Sequence, residues 1–434
     1  MLRTALLAGF ASTLLPLSAF ASDIAGCEQW KDDEKRIASC TKLLESESYG
    51  KRTLAIIFAN RGYAYRNLKK LDKAEADYND AVDSNPSYAR AYLLRGDLLS
   101  DAKKWHAAIV DYGLAIKNND RLADAFTNRG VAYGRINKFA AAIEDYTAAL
   151  NLSPKDALVL SNRCDAYRLV GSLKQAMKDC NTAIGINPKS AAAFQNRADV
   201  YSDLKQHKRA ITDYTKAIEL DPKRTNAFIN RGYTYGQINK YKLAIADYTR
   251  ALEIDPKLPL PYNNRCSSRI SLGEYEAAKA DCEKSIELSP TYANAHYNLG
   301  RILNHEKAYE KAIVAFTKAI EGRPKFTDAY FRRGNAYRYT KKHELAIKDY
   351  QEVLKRSPKI ANAHLNIGVS SEELGNNDQA LAAYEKAFEL AGADRVKKFQ
   401  TYMKGKGFFE GAVDGIYTPA MRETLKECIK SPLC

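Results

Sequence analysis

Residues 123–156 read ADAFTNRGVAYGRINKFAAAIEDYTAALNLSPKD, and Pro154 near the end of this stretch recurs every 34 residues as Pro188, Pro222, Pro256, Pro290, Pro324 and Pro358. Pro86 falls on the same comb, and Asp120 and Gly392 occupy its other two teeth. Taking that slot as position 32 defines ten repeats, beginning at residues 55, 89, 123, 157, 191, 225, 259, 293, 327 and 361. A fixed period of this length marks an array in which each unit buries its apolar face against its neighbours. Position 20 is Ala in all ten repeats, Ala142 in the quoted one. Position 8 is Gly in seven, Ala198 in one, and Cys164 and Cys266 in the other two. Small residues at both places let two antiparallel helices approach closely. Aromatics at positions 4 and 24, here Phe126 and Tyr146, fill the seam between them. The proline has no N–H to donate and stops the second helix.

Position 7 is Arg in eight repeats, and position 23 is Asp in the same eight, Arg129 and Asp145 among them. The two exceptions lose both partners together, as Leu299 with Ala315 and Ile367 with Ala383. An ion pair joining the two helices of one repeat accounts for this joint loss. Pairing between neighbouring repeats would instead strand Asp281 and Arg333.

This set of positions resembles the tetratricopeptide repeat family, without a gap over residues 55–394. The resemblance implies an all-α fold, a right-handed superhelical solenoid of ten helix-turn-helix repeats whose first helices line an inner groove. It also implies a non-catalytic scaffold for protein–protein interaction. No phosphate loop, zinc signature or nucleophile elbow is present, and nothing in the register sets two carboxylates apart as an acid–base pair, so neither an enzyme nor a cofactor is expected. On the first helix, position 6 is Asn in eight repeats: Asn60, Asn128, Asn162, Asn196, Asn230, Asn264, Asn298 and Asn366, with Leu94 and Arg332 as the departures. An Asn side chain offers two donors and an acceptor, and pairs with a peptide backbone whatever its side chains. The row resembles the asparagine ladder of the superhelix in O-GlcNAc transferases, which holds extended peptide. Local contacts between helices are the other reading of these residues.

The formal charge of +15 favours acidic partners, among them acidic peptide, anionic polysaccharide, nucleic acid and membrane surface, but does not choose between them. No nucleic-acid-binding signature accompanies it. At the N-terminus, Arg3, the uncharged run Ala5 to Leu17 and the small residues around Ala19 and Ala21 read as a secretory signal over residues 1–21. The sequence Ile24-Ala25-Gly26-Cys27 resembles a lipoprotein box, with Asp23 where that box requires an uncharged residue. The reading adopted is an exported bacterial protein, periplasmic or secreted, without a transmembrane segment.

Eight cysteines in an exported chain point to disulfides. Cys164 and Cys180 occupy positions 8 and 24 of the fourth repeat, and Cys266 and Cys282 the same positions of the seventh, where all eight other repeats place a small residue opposite an aromatic. Residues 22–54 read as an N-terminal helical cap, with a helical segment from Ala25 to Ser46 tied by Cys27 and Cys40. Cys428 and Cys434 remain as a terminal pair. No Cys-x-x-Cys or Cys/His cluster offers a metal site.

The period ends after Gly392, and residues 395–434 form a separate helical segment. Its order of Val396, Phe399-Gln400, Gly407-Phe408-Phe409-Glu410-Gly411, Asp414-Gly415-Ile416-Tyr417 and a closing helix through Arg422 resembles the small bacterial peptidoglycan-binding module. That resemblance implies a glycan-binding set of Phe408, Phe409, Asp414, Tyr417 and Arg422. The spacing of Val396, Phe399 and Met403 also suits an amphipathic helix that caps the last repeat.

Overall fold

A computed structural model describes residues 26–28, 31–46 and 49–431. The signal-peptide reading of residues 1–21 and the Cys428–Cys434 pairing involve residues outside this set. Every regular element among the described residues is a helix. The described residues divide into two compact bodies, one ending at Pro222 and the other beginning at Lys223. Within each, a repeat is a pair of helices, as in Ala123–Arg135 with Phe139–Leu152 in the first body and Thr225–Gln237 with Tyr241–Ile254 in the second.

Three local devices shape each pair. The residue at position 15 takes a left-handed backbone and reverses the chain between the helices. It is Gly171, Gly273 or Gly375 in three repeats, but Asn137, Asn239, Lys69, Lys103, Lys205, Lys307 or Lys341 in the others, with φ between 58° and 79° throughout. A lysine there carries a steric penalty that glycine escapes. Lys103→Gly should therefore raise stability by about 1 kcal/mol, read as an increased denaturant midpoint; a lower midpoint would show that the Lys103 side chain makes a compensating contact. At the other end of the repeat, position 31 accepts from the backbone N–H of position 33, as in Asn85 with Ser87, Asn119 with Arg121, Asn187 with Lys189 and Asp255 with Lys257. This Asx turn carries the chain past the proline into the next helix. Between these ends, position 8 meets position 24 at close range. A Cβ on any of the seven glycines would stand 2.6–2.9 Å from the facing aromatic ring. Position 8 is small for that reason.

The core is a stripe of alanines and tyrosines rather than large aliphatics. Ala125, Ala132 and Ala142 are fully buried, with Tyr146 beside them. The equivalent residues in the second body are Ala227, Thr234, Ala244 and Tyr248.

The N-terminal cap differs in detail from the sequence reading. Residues 26–28 are helical, but a bend at residues 31 and 32 precedes helix Asp33–Ser46, which starts where Asp32 Oδ1 accepts from the N–H groups of Glu34 and Lys35. The first repeat's helix begins early, at Lys51, four residues before its register position. Cys27 is joined to Cys40, and this pair packs with Leu43 against Ile57.

Beyond Gly392, which breaks the last repeat helix with φ 73°, helices Ala393–Gly405 and Pro419–Lys430 fold back onto helix Asn377–Ala391. Val396, Met421, Leu425 and Ile429 join Leu381, Tyr384 and Phe388 in one apolar cluster. The tail covers the apolar face that the last repeat would otherwise expose.

Candidate functional site: the first-helix face

The first helix is held by the Arg and Asp of positions 7 and 23 in every repeat but the eighth and tenth. In all eight repeats that carry them, Nε donates to Oδ2 at 2.6–2.9 Å and Nη2 to Oδ1 at 2.7–3.0 Å. The pairs lie within repeats, as the joint losses require. Burial pushes the carboxyls of Asp77, Asp145, Asp247 and Asp349 up, and the facing guanidinium acts against that rise. A third bond goes beyond the sequence reading. The remaining Nη1 reaches the second helix of the preceding repeat, from Arg95 to Asn79, Arg163 to Thr147, Arg197 to Asn181, Arg265 to Thr249 and Arg333 to Thr317, at 2.9–3.0 Å. Arg61 makes the same bond to Thr41 of the cap at 3.2 Å. One guanidinium thus ties two helices and two repeats.

With the first helices so fixed, their outward positions 6, 9, 12 and 13 form the candidate surface. In the first body Asp97 is its centre. Tyr112 Oη and Asn128 Nδ2 both donate to Asp97 Oδ1, at 2.9 and 2.8 Å. Arg66 approaches Asp97 at 3.7 Å and donates to Asp101 at 2.7 Å. Burial raises the Asp97 carboxyl, and the bonds from Tyr112, the charge of Arg66 and Asn128 act in the opposite direction. These residues, with Ser100 and Val131, surround a hollow of about 240 Å³. One hundred and two residues on, Tyr214 Oη donates to Asp199 at 2.5 Å, and Arg168 pairs with Asp165 at 2.8 Å and Asp203 at 3.2 Å. The sequence signal for both places is Asp97-Leu98-Leu99-Ser100-Asp101 against Asp199-Val200-Tyr201-Ser202-Asp203. It occurs in the second and fifth repeats and not in the others, so averaging over single repeats conceals it.

The asparagines of position 6 stand on this surface, but several are already engaged. Asn128 donates to Asp97, Asn196 to the Ser161 carbonyl at 2.9 Å, Asn298 to Asn263 at 3.0 Å and Asn366 to Asn335 at 2.9 Å. Each acceptor belongs to the preceding repeat, because position 6 faces the neighbouring first helix. Asn264 accepts from Asn263 at 3.1 Å. Asn60, Asn162 and Asn230 are half-buried at the same register position.

Models of the tetratricopeptide repeat match residues 60–124, 123–156, 191–224, 225–258, 262–292, 282–314, 327–360 and 361–394, together well over half of the chain. The chain belongs to the tetratricopeptide repeat family. A scaffold of this kind is typical of protein–protein interaction. None of the curated proteins matches. Among solved structures, the APC/C hetero-tetramer Cut9–Hcn1 is similar at 16% identity over 86% of this chain and 84% of that one, with a TM-score of 0.48. Yeast Tom70 is 15% identical over 86% and 92%, with a TM-score of 0.41. YrrB, described as a TPR protein with an unusual peptide-binding site, is 24% identical over 42% of this chain and 95% of its own, with a TM-score of 0.36.

Two tetratricopeptide repeats carry cysteine at both facing positions. Cys164 is joined to Cys180 and Cys266 to Cys282, and all four are fully buried. In the tail, two of the residues singled out for glycan binding are bonded to the last repeat, and Asp414 is exposed. Arg422 Nε and Tyr417 Oη both donate to Glu385, at 2.6 and 3.2 Å, and Tyr417 lies against Phe388. Asp414 Oδ1 accepts from Gln400 Nε2 and from the Ile416 N–H, both at 2.9 Å, while Gln400 Oε1 takes the Gly415 N–H at 2.8 Å. Phe409 packs at the edge of the tail's apolar cluster, and Phe408 is half-buried. Among the described residues no helix is long and apolar enough to cross a membrane, and no His/Cys/Asp/Glu group is arranged to hold a metal.

Proposed function

We propose that this tetratricopeptide repeat protein is an exported, non-catalytic scaffold that holds an extended peptide or a partner's surface on its first-helix face. The observation that carries this reading is the Asp97 cluster. Charged and polar side chains are fixed by one another around an open hollow on that face, so little side-chain order is lost when a ligand arrives. The cysteine pairs support export, since disulfides persist in oxidising compartments. The alternative, a cell-wall adaptor binding peptidoglycan or acidic glycan through its tail, has less support, because Tyr417 and Arg422 are already engaged by Glu385.

Photo-reactive residues test the face directly. Placed at Ser100 or Asn162 on first helices, they should label peptides selected from a random library. At the exposed Glu144 or Lys178 on second helices they should not. Labelling from the second helices alone would overturn the reading. The asparagines need separate handling. Asn128→Ala and Asn196→Ala each remove a bond between repeats and should lower stability by about 1 kcal/mol. Asn60→Ala with Asn162→Ala should weaken peptide capture at unchanged thermal stability, and a fall in stability equal to the fall in capture would make the ladder structural.

A further inference from the structure

Position 25, on the second helix, is uncharged in eight of the ten repeats, and in five of them it receives Nη1 of the next repeat's arginine. It is glutamate in two, Glu283 and Glu385. After both of these the next position 7 supplies no arginine: the eighth repeat has Leu299 there, and the tail rather than another repeat follows the tenth. Glu385 is met from outside the array, because Arg422 of the tail donates to it at 2.6 Å. Glu283 has no ion pair among the described residues.

Glu283 lines a hollow of about 370 Å³ among helices Tyr275–Leu288, Ala293–His305 and Tyr309–Gly322. This hollow is the eighth repeat's arginine slot. In seven other repeats the guanidinium in that slot stands 5.5–5.8 Å from the centre of the position 4 ring. Here the ring is His296, which lines the hollow and is held by the Pro290 carbonyl at 2.8 Å. Leu299 packs with Leu303, Ala315 and Phe316 at the base of the slot and offers no donor to Glu283. With Ile286 and the exposed Val314, these residues leave the walls apolar. Three other charged residues line the hollow. Glu287 is matched by Lys284 at 2.6 Å. Lys311 and Lys318 hold positions 19 and 26, where cations do not keep a guanidinium out: Arg209 and Lys216 hold those positions in the fifth repeat, and Arg197 fills its slot.

We propose that this hollow is a docking socket for an arginine side chain of a partner protein. The stem of the incoming arginine lies along Leu303 and Val314, and its guanidinium meets Glu283 in a charge-assisted hydrogen bond. A purely apolar group would leave Glu283 unmatched, and an acidic side chain would be repelled by it. The bond from Arg422 to Glu385 is the same exchange made within the chain, with the arginine carried on the separate helix Pro419–Lys430. Second helices form two of the socket's three walls, so it is distinct from the first-helix face and does not depend on what that face holds.

The test titrates the full chain, labelled at its Leu and Val methyl groups for NMR, with an alanine-rich helical peptide blocked at both ends and carrying a single arginine. The methyl signals of Leu303 and Val314 should shift. Those of Val110 should not, because Val110 holds the register position of Val314 in the second repeat, where Arg95 already fills the slot. Replacing the peptide's arginine by citrulline, its uncharged isostere, should abolish the shifts. Glu283→Gln should weaken binding by about tenfold. Glu310→Gln removes the same charge from an exposed position on the eighth repeat's second helix and should change affinity by less than about twofold. Leu299→Arg puts the chain's own guanidinium in the socket and should abolish binding of the peptide. Equal binding of the arginine and citrulline peptides, no shift at Val314, or unchanged affinity in Glu283→Gln would overturn the socket. A dimer of the free chain that Glu283→Gln dissociates would make a second copy the occupant and overturn its assignment to a partner protein.

Discussion

Arg129→Leu should destabilise the third repeat by roughly 3–5 kcal/mol, because it leaves the Asp145 carboxylate buried without its partner. Asp145 is 5% exposed at its side chain, and both its oxygens accept from Arg129. Asp145→Ala should cost a similar amount by stranding the guanidinium. The double variant, Arg129→Leu with Asp145→Ala, should recover most of the loss, since no buried charge is left and Leu fills the slot. The protein already contains that exchange, as Leu299 with Ala315 and Ile367 with Ala383. There the side chains of Leu299 and Ala315 pack with Leu303, Ala312 and Phe316. A solenoid does not unfold as a single two-state unit, so hydrogen exchange of helices Ala123–Arg135 and Phe139–Leu152 is the appropriate readout. If the double variant loses as much protection as the two single variants combined, the pair contributes through each residue independently and the compensation argument fails.

The same pair shows where sequence reasoning is strong. Position 7 and position 23 were recognisable as partners because they vanish together, and an ion pair is one of few contacts that forces such joint loss. Period, helix pairing and close approach at positions 8 and 20 were legible for a related reason. Each repeat must solve the same packing problem, and its solution is printed ten times over. What stayed hidden is whatever the repeats solve differently. The left-handed turn at position 15 is not legible in the sequence, because five of its ten residues are lysines, which give no local sign of that backbone. The third guanidinium bond goes to Asn79, Asn181, Thr147, Thr249 or Thr317, so its acceptor has no single identity in the register. The Asp97 cluster is further from view still, since its residues recur in only two of the ten repeats. The asparagine row was visible, but not its engagement: the acceptors are Asp97, the Ser161 carbonyl, Asn263 and Asn335, four different groups at two register positions. The bonds from Tyr417 and Arg422 to Glu385 of the last repeat were likewise not legible, because the tail's resemblance to a module says nothing of the helix it packs on.

Cys164→Ala with Cys180→Ala should destabilise the fourth repeat by about 3 kcal/mol through loss of the cross-link alone, with a further loss from the space left between two fully buried positions. Cys164→Gly with Cys180→Tyr should instead recover most of the stability, because it installs the contact used at Gly62–Tyr78, Gly96–Tyr112 and Gly130–Tyr146. The two halves of that exchange are useless singly. Cys180→Tyr by itself drives the ring into the Cβ of Cys164, since a Cβ at the equivalent Gly130 would stand 2.7 Å from Tyr146. Cys164→Gly by itself leaves a thiol facing an unfilled gap. The order of stability expected in oxidised protein is therefore unaltered chain, then Gly/Tyr double variant, then Ala/Ala double variant, with the Cys180→Tyr single variant lowest. Adding reductant should lower protection of helices Ala157–Leu169 and Leu173–Ile186 in the unaltered chain and leave it unchanged in the Gly/Tyr variant. Reductant sensitivity at those helices in the Gly/Tyr variant would mean that another cysteine pair controls the fourth repeat, and that the covalent tie at Cys164–Cys180 is not what holds it.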